Sequence, residues 1–375
     1  MTPRVAIVLT LIAGLGCAPS PVPTAPPAAV ELPEQTTPVV PTPPIAATTS
    51  DPLKTRIETA IDLARSRDLL TTNAFWTVFH GVLAFGPGLA LRTPDAEEYV
   101  PALDYILSGR NDLGRIRGLG FIPTESGLDV QMGPTFIGQG HQDQFVAICA
   151  QWDLAPDQPV IVHGKAYTIM DFVREIQAHA RLGQELSWSI IAISHYVGTD
   201  ASWTNRAGEK LTFDDLVRSE LDATIDKAAC GGTHRLYGLT LALNEHRRRG
   251  GKMTPLWKEV DAKVREHIAL ARQYQGADGN FSTNYFRGPG TTADAKDRMN
   301  SSGHTLEWLS IALTDEQLQE PWMQDAAGAM ALMFLEYQSQ PMESGALYHA
   351  LHGLTIYYDR VYGFERFKSA VPASK

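Results

Sequence analysis

Apolar residues recur at helical spacing along most of the chain after residue 52, and no segment alternates convincingly between apolar and polar positions. Six segments carry one apolar and one charged face, which is the pattern of helices that expose one side to solvent. These amphipathic segments span residues 53–67, 97–107, 167–182, 213–228, 256–274 and 322–337. We therefore expect an all-α domain over residues 53–375.

A second set of segments is more apolar and forms an internal repeat. The best copies begin with histidine and carry apolar residues at positions +2, +5 and +7. The six copies begin at Thr77, His141, Gln184, His234, His304 and His349, of which the first fits least well. Each copy follows one amphipathic segment, so the chain reads as six helical hairpins. Apolar helices inside and amphipathic helices outside would give an α/α toroid.

This arrangement resembles the α/α toroids of terpenoid cyclases and protein prenyltransferase β-subunits, of six-hairpin glycosidases and of several polysaccharide lyases. The stretch Gln275-Gly-Ala-Asp-Gly279-Asn-Phe281 is similar to the Gln-x-x-x-Gly-x-Trp/Phe motif between hairpins of the cyclase and prenyltransferase group. Two signatures of that group's active enzymes are absent, the Asp-x-Asp-Asp motif and the Asp, Cys and His set that binds zinc. The resemblance therefore implies the fold and leaves the chemistry open.

The repeat register predicts a polar pocket at one end of the toroid. All inner helices would run the same way, and positions +0 and +3 share one helix face near their N-termini. Position +0 holds Thr77, His141, Gln184, His234, His304 and His349, and position +3 holds His80, Gln144, Ser187, Tyr237, Glu307 and His352. Two stacked polar rings are expected to line an open mouth. The loops 115–140 and 281–303 are expected to form its rim and to lead into inner helices at His141 and His304.

Catalytic roles are assigned to His234, His304, Glu307 and Tyr237. Substrate-binding roles are assigned to His141, Asp143, Gln184, His349, His352, Trp308 and Arg287. A helix N-terminus disfavours a protonated imidazole, so the histidines are expected to be neutral and able to act as bases. Each residue also has a structural interpretation: helix capping for a histidine, the helix dipole for Glu307, and packing for Tyr237 and Trp308. No tight His-x-His pair is present, so neither a metal nor another cofactor is predicted.

The N-terminal 52 residues differ from the rest of the chain. An apolar run over residues 5–16 follows Arg4 and ends at Cys17, which predicts a signal peptide with a lipobox and a lipidated Cys17. Gly14 and Leu15 depart from the usual lipobox residues. Residues 18–52 are rich in proline and are expected to form a disordered, extended linker. We expect an exported protein, anchored to a membrane at the periplasmic or extracellular face of the cell envelope.

The formal net charge of −10 argues against a nucleic-acid partner. The leading interpretation is a carbohydrate-active enzyme, with a polysaccharide or another small polar ligand as partner. A lyase fits slightly better than a hydrolase, because a glycosidase needs two carboxylates and Glu307 has only Asp143 or Glu343 as possible seconds. A non-catalytic binding or scaffold module and a cyclase-like enzyme for an apolar substrate are the alternatives. Whether Cys149 and Cys230 pair is left open.

Overall fold

The computed structural model describes residues 51–94, 98–110, 116–134 and 137–363. The described part of the chain is mostly helical. Its α-helices are α1 Pro52–Arg65, α2 Phe75–Phe85, α3 Ala102–Leu107, α4 Gln144–Gln151, α5 Ile169–His179, α6 Ser187–Tyr196, α7 Phe213–Asp222, α8 Thr233–Arg248, α9 Pro255–Gln273, α10 Ala295–Ala312, α11 Asp315–Leu318, α12 Pro321–Glu336 and α13 Ser344–Tyr362. The predicted signal peptide, Cys17 and the linker up to residue 50 lie outside the described residues.

Six of these helices pack in a closed order of neighbours. Helix α2 contacts α4, and contacts continue through α6, α8, α10 and α13 back to α2. The amphipathic helices α1, α3, α5, α7, α9 and α12 each contact at least one of the six. The two groups of helices differ in burial, as their sequences predict. Helix α6 is buried from Ser187 to Ser194, whereas α5 buries only one stripe of side chains.

The bounds of the amphipathic helices agree with the hydrophobic pattern, with two exceptions. The helix predicted over 213–228 ends at Asp222, six residues early. The predicted helix 97–107 is wrong in its first part, because Tyr99–Pro101 is a strand and α3 begins only at Ala102. A helix can begin directly after Pro101, but proline cannot supply the backbone N–H that a helix interior needs.

The predicted starts of two inner helices are also wrong. Helix α10 begins at Ala295, well before His304, because Asp294 caps it by accepting hydrogen bonds from the amides of Lys296 and Asp297. Helix α13 begins at Ser344 rather than at His349. In these two helices the repeat lies inside the helix, whereas the other four copies begin within three residues of a helix start.

Short strands occur where none was expected. They are β1 Leu69–Leu70, β2 Ala90–Arg92, β3 Tyr99–Pro101, β4 Phe121–Pro123, β5 Leu128–Val130, β6 Pro159–Val162, β7 Lys165–Thr168, β8 Ser202–Thr204 and β9 Lys210–Thr212. Strands β1, β2 and β3 form one sheet, and the others pair as β4–β5, β6–β7 and β8–β9. Two to four residues are too few to display the alternation by which a strand is recognised.

Two of these hairpins run directly into a helix through the same local motif. After Gly164, Thr168 and Asp171 form a capping box at the start of α5, and after Gly208, Thr212 and Asp215 do so at the start of α7. The shared pattern is Gly-x-x-x-Thr-x-x-Asp. In each box the Asp carboxylate accepts a hydrogen bond from the backbone amide of the capping threonine, which satisfies a donor at the helix end.

No helix in the described ranges has both the length and the apolar character needed to cross a bilayer.

Candidate functional site

Five histidine rings meet among the inner helices, and we call them the histidine cluster. The ring centre of His349 lies 4.2 Å from that of His304 and 5.3 Å from that of His80. The ring of His234 lies 5.3 Å from His304, 5.6 Å from His349 and 4.8 Å from His141. Four of these residues stand at repeat position +0, and His80 at position +3 takes the place expected for Thr77.

The cluster is enclosed, whereas an open mouth was predicted. His80, His234, His304 and His349 are each at most 5% exposed, and only the side chain of His141 reaches solvent, with 14% of its surface exposed. His141 Nδ1 lies 3.0 Å from Glu185 Oε2, which is itself partly exposed. The shortest path from solvent to the cluster therefore passes His141 and Glu185.

Three imidazole rings of the cluster each make a hydrogen bond through their own Nδ1 atom. Nδ1 of His80 lies 2.7 Å from the carbonyl oxygen of Trp76, and Nδ1 of His304 lies 2.7 Å from that of Asn300. His349 Nδ1 lies 2.7 Å from Glu307 Oε2. Carbonyl and carboxylate oxygens only accept, so each of these Nδ1 atoms carries a proton, and Nε2 of His80 and His304, whose pKa values burial lowers, keeps a free lone pair. These Nε2 atoms are available as bases or as metal ligands.

Glu307 lies well inside α10 and binds two imidazoles. Its second oxygen, Oε1, accepts a hydrogen bond from His352 Nδ1 at 2.7 Å. Burial by itself would raise the pKa of Glu307, but the electrostatic interaction with His349 and the hydrogen bonds from both imidazoles outweigh burial and lower the pKa to about 2. Glu307 therefore stays ionised, and its predicted place in a helix N-terminal turn is wrong.

Burial sets the protonation of the cluster. Removal from water, together with the neighbouring imidazoles, lowers the pKa of His80 and His234 well below the ordinary value. Burial also lowers the pKa of His304 to about 3. The pKa shifts favour the neutral form that the sequence predicts, but the cause is burial rather than a helix N-terminus.

Tyr237 keeps its phenolic proton. Burial, followed by the nearby charge of Glu307, raises the pKa of Tyr237 well above its usual value. Its hydroxyl donates a hydrogen bond to Gln151 Oε1. A neutral phenol beside an ionised carboxylate can act as a proton donor.

Several buried polar atoms around the cluster have no hydrogen-bond partner among the described residues. They are both ring nitrogens of His234, Nε2 of His80, both side-chain amide atoms of Gln144, and Nε1 of Trp188. A buried polar group without a partner costs about 1–3 kcal/mol, so such atoms are rare in native proteins and call for an explanation. Two of these atoms belong to His234, and Trp188 packs against the same ring.

Four predicted substrate-binding residues do not belong to the cluster. Asp143 forms a different network, in which Ser189 donates to it at 2.5 Å and His179 lies 3.2 Å away. Gln184 and Arg287 are exposed. Trp308 is completely buried and donates to Thr240 Oγ1 at 2.9 Å, so it is a packing residue and offers no face to a sugar.

Two residues near His234 were not assigned a role from the sequence. The thiol of Cys230 lies within 4.8 Å of ring nitrogens of His234 and His304, and a carboxylate oxygen of Glu185 lies within the same distance of His141 and His234. The spacing of Cys230 and His234 across one turn was a usable signal, whereas nothing in the local sequence pointed to Glu185. Cys149 and Cys230 are both buried, and no disulfide joins one to the other.

Comparison of the chain with protein-family models, curated proteins and solved structures finds no match.

Proposed function

We propose that this chain is an exported, lipid-anchored enzyme of the cell envelope, and that residues 53–375 form an α/α toroid. The closed order of contacts through α2, α4, α6, α8, α10 and α13 supports the toroid. The proposed substrate is a carbohydrate or a similar small polar molecule, which the resemblance to toroidal glycosidases and lyases supports. The observation that carries the catalytic proposal is the buried, ionised Glu307 that orients His349 and His352 beside the neutral Tyr237.

Elimination fits this site better than hydrolysis. Hydrolysis by a glycosidase needs a protonated and an ionised carboxyl group on opposite sides of the bond. Glu307 is ionised, Asp143 lies in another network, and Glu343 caps α13 by accepting from the amides of Gly345 and Ala346. Neither candidate therefore provides the second carboxylate beside Glu307.

The lyase step is assigned to an imidazole and a phenol. On a uronate unit, His349 Nε2 removes the proton next to the carboxylate, and Glu307 at Nδ1 stabilises the imidazolium that forms. A carbon–carbon double bond forms, the C–O bond to the neighbouring sugar breaks, and Tyr237 protonates the leaving oxygen. His234 and His304 face the same space and bind the substrate. Because the cluster is enclosed, we expect a short oligosaccharide or a chain end to enter beside His141.

The test is a panel of polysaccharides and oligosaccharides incubated with the full chain, with unsaturated-sugar absorbance and reducing ends both measured. We expect both signals to rise together, and Glu307→Gln to lower kcat by roughly 10²–10⁴-fold. The exposed Glu336→Gln, at the end of α12, is the matched control and should retain full activity. Reducing ends without unsaturated product would replace the lyase with a hydrolase. No turnover of any panel member by folded protein would contradict the enzymatic proposal.

The enclosure of the cluster favours one alternative, a non-catalytic envelope module that holds a small ligand. Oligosaccharide binding without turnover in the same panel would support it. A cyclase-like enzyme is disfavoured, because an apolar substrate would face imidazoles and the carboxylate of Glu307 rather than aromatic walls.

A further inference from the structure

Three potential metal ligands come together at the centre of the histidine cluster. The Cys230 sulfur, one ring nitrogen of His234 and one of His304 all lie within 4.8 Å of one another, and all three residues are buried. Thiolate and imidazole are the ligand types that borderline-soft divalent ions such as Zn²⁺ prefer. Glu185 and His141 approach His234 from the side that reaches solvent.

The imidazoles of His304 and His234 differ in their hydrogen bonds. His304 donates Nδ1–H to the carbonyl of Asn300, which is the outer-shell hydrogen bond that metal-binding histidines almost always make. His234 is 5% exposed, and both of its ring nitrogens lack a hydrogen-bond partner among the described residues. An imidazole has one donor and one acceptor to satisfy when it is buried, so a metal on one nitrogen would account for half of this deficit.

The loop that carries Cys230 is held in an unusual conformation. Cys230, Gly231 and Gly232 have φ values of 50°, 65° and 99°, and this left-handed region is uncommon for a residue with a side chain. Thr233 donates its hydroxyl to the carbonyl of Cys230 at 2.8 Å. A Cβ on Gly231 would lie 2.2 Å from the ring of Tyr285, so the close packing requires glycine. Backbone strain of this kind concentrates at functional sites, where neighbouring structure maintains it.

We infer that Cys230, His234 and His304 bind one divalent transition-metal ion, with zinc as the expected ion. This inference shares its site with the proposed function and deepens it. Three protein ligands leave a fourth position of a tetrahedral ion open, which is the arrangement of catalytic rather than structural zinc. The ion would polarise a carboxylate or hydroxyl of the substrate near His349. Binding converts the thiol to a metal thiolate and releases one proton to solvent, so affinity rises with pH.

The experiment uses the full chain, stripped with a chelator and then titrated with Zn²⁺ or Co²⁺. We expect one ion per chain and, with Co²⁺, a thiolate-to-cobalt charge-transfer band that Zn²⁺ abolishes by displacement. Cys230→Ser should remove the band, and His234→Gln should weaken binding by more than about 100-fold, beyond the loss usual for an outer-shell change. Cys149→Ser, at the other buried cysteine of the described chain, is the matched control and should leave the band and the affinity unchanged.

X-ray absorption of the zinc-loaded wild-type chain needs no variant and remains decisive if Cys230→Ser does not fold. One sulfur and two nitrogen neighbours would support the site. The absence of a stoichiometric ion, or an ion held only by nitrogen and oxygen, would overturn it. An ion lost in Glu185→Gln but kept in Cys230→Ser would place the metal at His141, Glu185 and His234 instead, and would also overturn it. Sugar turnover by a chain that takes up no stoichiometric ion refutes the metal inference alone, whereas a bound ion with no turnover in the panel refutes the proposed enzyme alone.

Discussion

Specific hydrogen bonds at Nδ1 stabilise His80, His304 and His349 in the buried histidine cluster, and burial keeps His80, His234 and His304 neutral by lowering their pKa. The Nδ1 atoms of His80 and His304 face backbone carbonyls one helical turn earlier, and that of His349 faces Glu307. Protonation of any ring would place a positive charge among other imidazoles without water. The cluster therefore couples the stability of the fold to pH.

We predict that the free energy of unfolding falls as the pH drops below about 6.5. The unfolded chain then binds protons at residues whose folded-state pKa is lowered, which in the cluster are His80, His234 and His304. Burial lowers the pKa of His195 and His267 as well, and both act in the same direction. Each such group lowers the free energy of unfolding by about 1.4 kcal/mol for every pH unit of acidification. This loss continues until the pH reaches the folded-state pKa of the group, which for His304 is about 3. The lowered pKa of Glu307 acts in the same direction only between about 4.5 and about 2.

His80→Gln tests this coupling, because glutamine removes the titrating ring and keeps a side-chain donor for the carbonyl of Trp76. In urea unfolding with a chelator present, the slope of stability against pH should decrease by about 1.4 kcal/mol per unit between about pH 6 and about pH 5. His163→Asn, in the exposed turn between β6 and β7, is the control. An unchanged slope in His80→Gln would contradict the prediction. The pKa of His179 is raised by Asp143 against the effect of burial. His179 therefore opposes the loss of stability at low pH, in the wild type and in both variants alike.

At the scale of the elements, glycine permits close approach of the inner helices. Repeat position +4 is glycine in α2, α8 and α13, at Gly81, Gly238 and Gly353. A Cβ on Gly353 would lie 2.8 Å from the backbone nitrogen of Glu307, and one on Gly238 would lie 2.4 Å from the carbonyl oxygen of Ser187. Backbone atoms cannot move aside as a flexible side chain can. Glu307 therefore reaches His349 and His352 partly because α10 and α13 touch at this glycine.

Gly353→Ala should destabilise the protein by about 1–3 kcal/mol through overpacking against α10. The matched control is Gly328→Ala in α12, where a Cβ would meet only the side chains of Arg56 and Leu53 at 3.4 Å. Alanine is the better helix former, so Gly328→Ala should be neutral or stabilising by up to about 1 kcal/mol. Equal stability changes in the two variants, measured by urea unfolding, would show that the α10–α13 approach is not tight.

For the whole molecule, the decisive contact joins elements far apart in the chain. Helix α13 packs against α2 and α1, so the last described helix meets the first two. This contact completes the closed order of inner helices and brings His80 to His349. Separation of the ends of the domain would open the cluster, because no local sequence segment contains more than one or two of its members.

The predicted lipid anchor at Cys17 would attach the whole molecule to a membrane. Cys17→Ser should abolish incorporation of a labelled fatty acid and move the protein from the membrane fraction to the soluble fraction of the envelope. Cys149→Ser should leave both properties unchanged. A membrane-bound Cys17→Ser protein would contradict the lipobox and indicate a retained apolar segment as the anchor.

Sequence alone determined what depends on local periodicity. The apolar stripes located α1, α5, α9 and α12 to within three residues at each end, and the start of α7, because one face of each helix must be buried and the other solvated. The repeat selected His234, His304, His349 and Glu307 as residues that share a setting, because equivalent helix positions pack alike. The twice-used pattern Gly-x-x-x-Thr-x-x-Asp, which precedes a capped helix at both of its positions, was missed in the sequence.

Tertiary structure decided what depends on contacts between distant residues. Enclosure of the cluster, the low pKa of His304 and the ionised state of Glu307 arise from neighbours on other helices, which periodicity does not specify. The same is true of the exclusion of Asp143 and Trp308 from the cluster, and of the approach of Cys230 and Glu185 to His234. A helical pattern states which face of a helix is buried. Only the packing of six helices against one another determines which side chains meet at those buried faces.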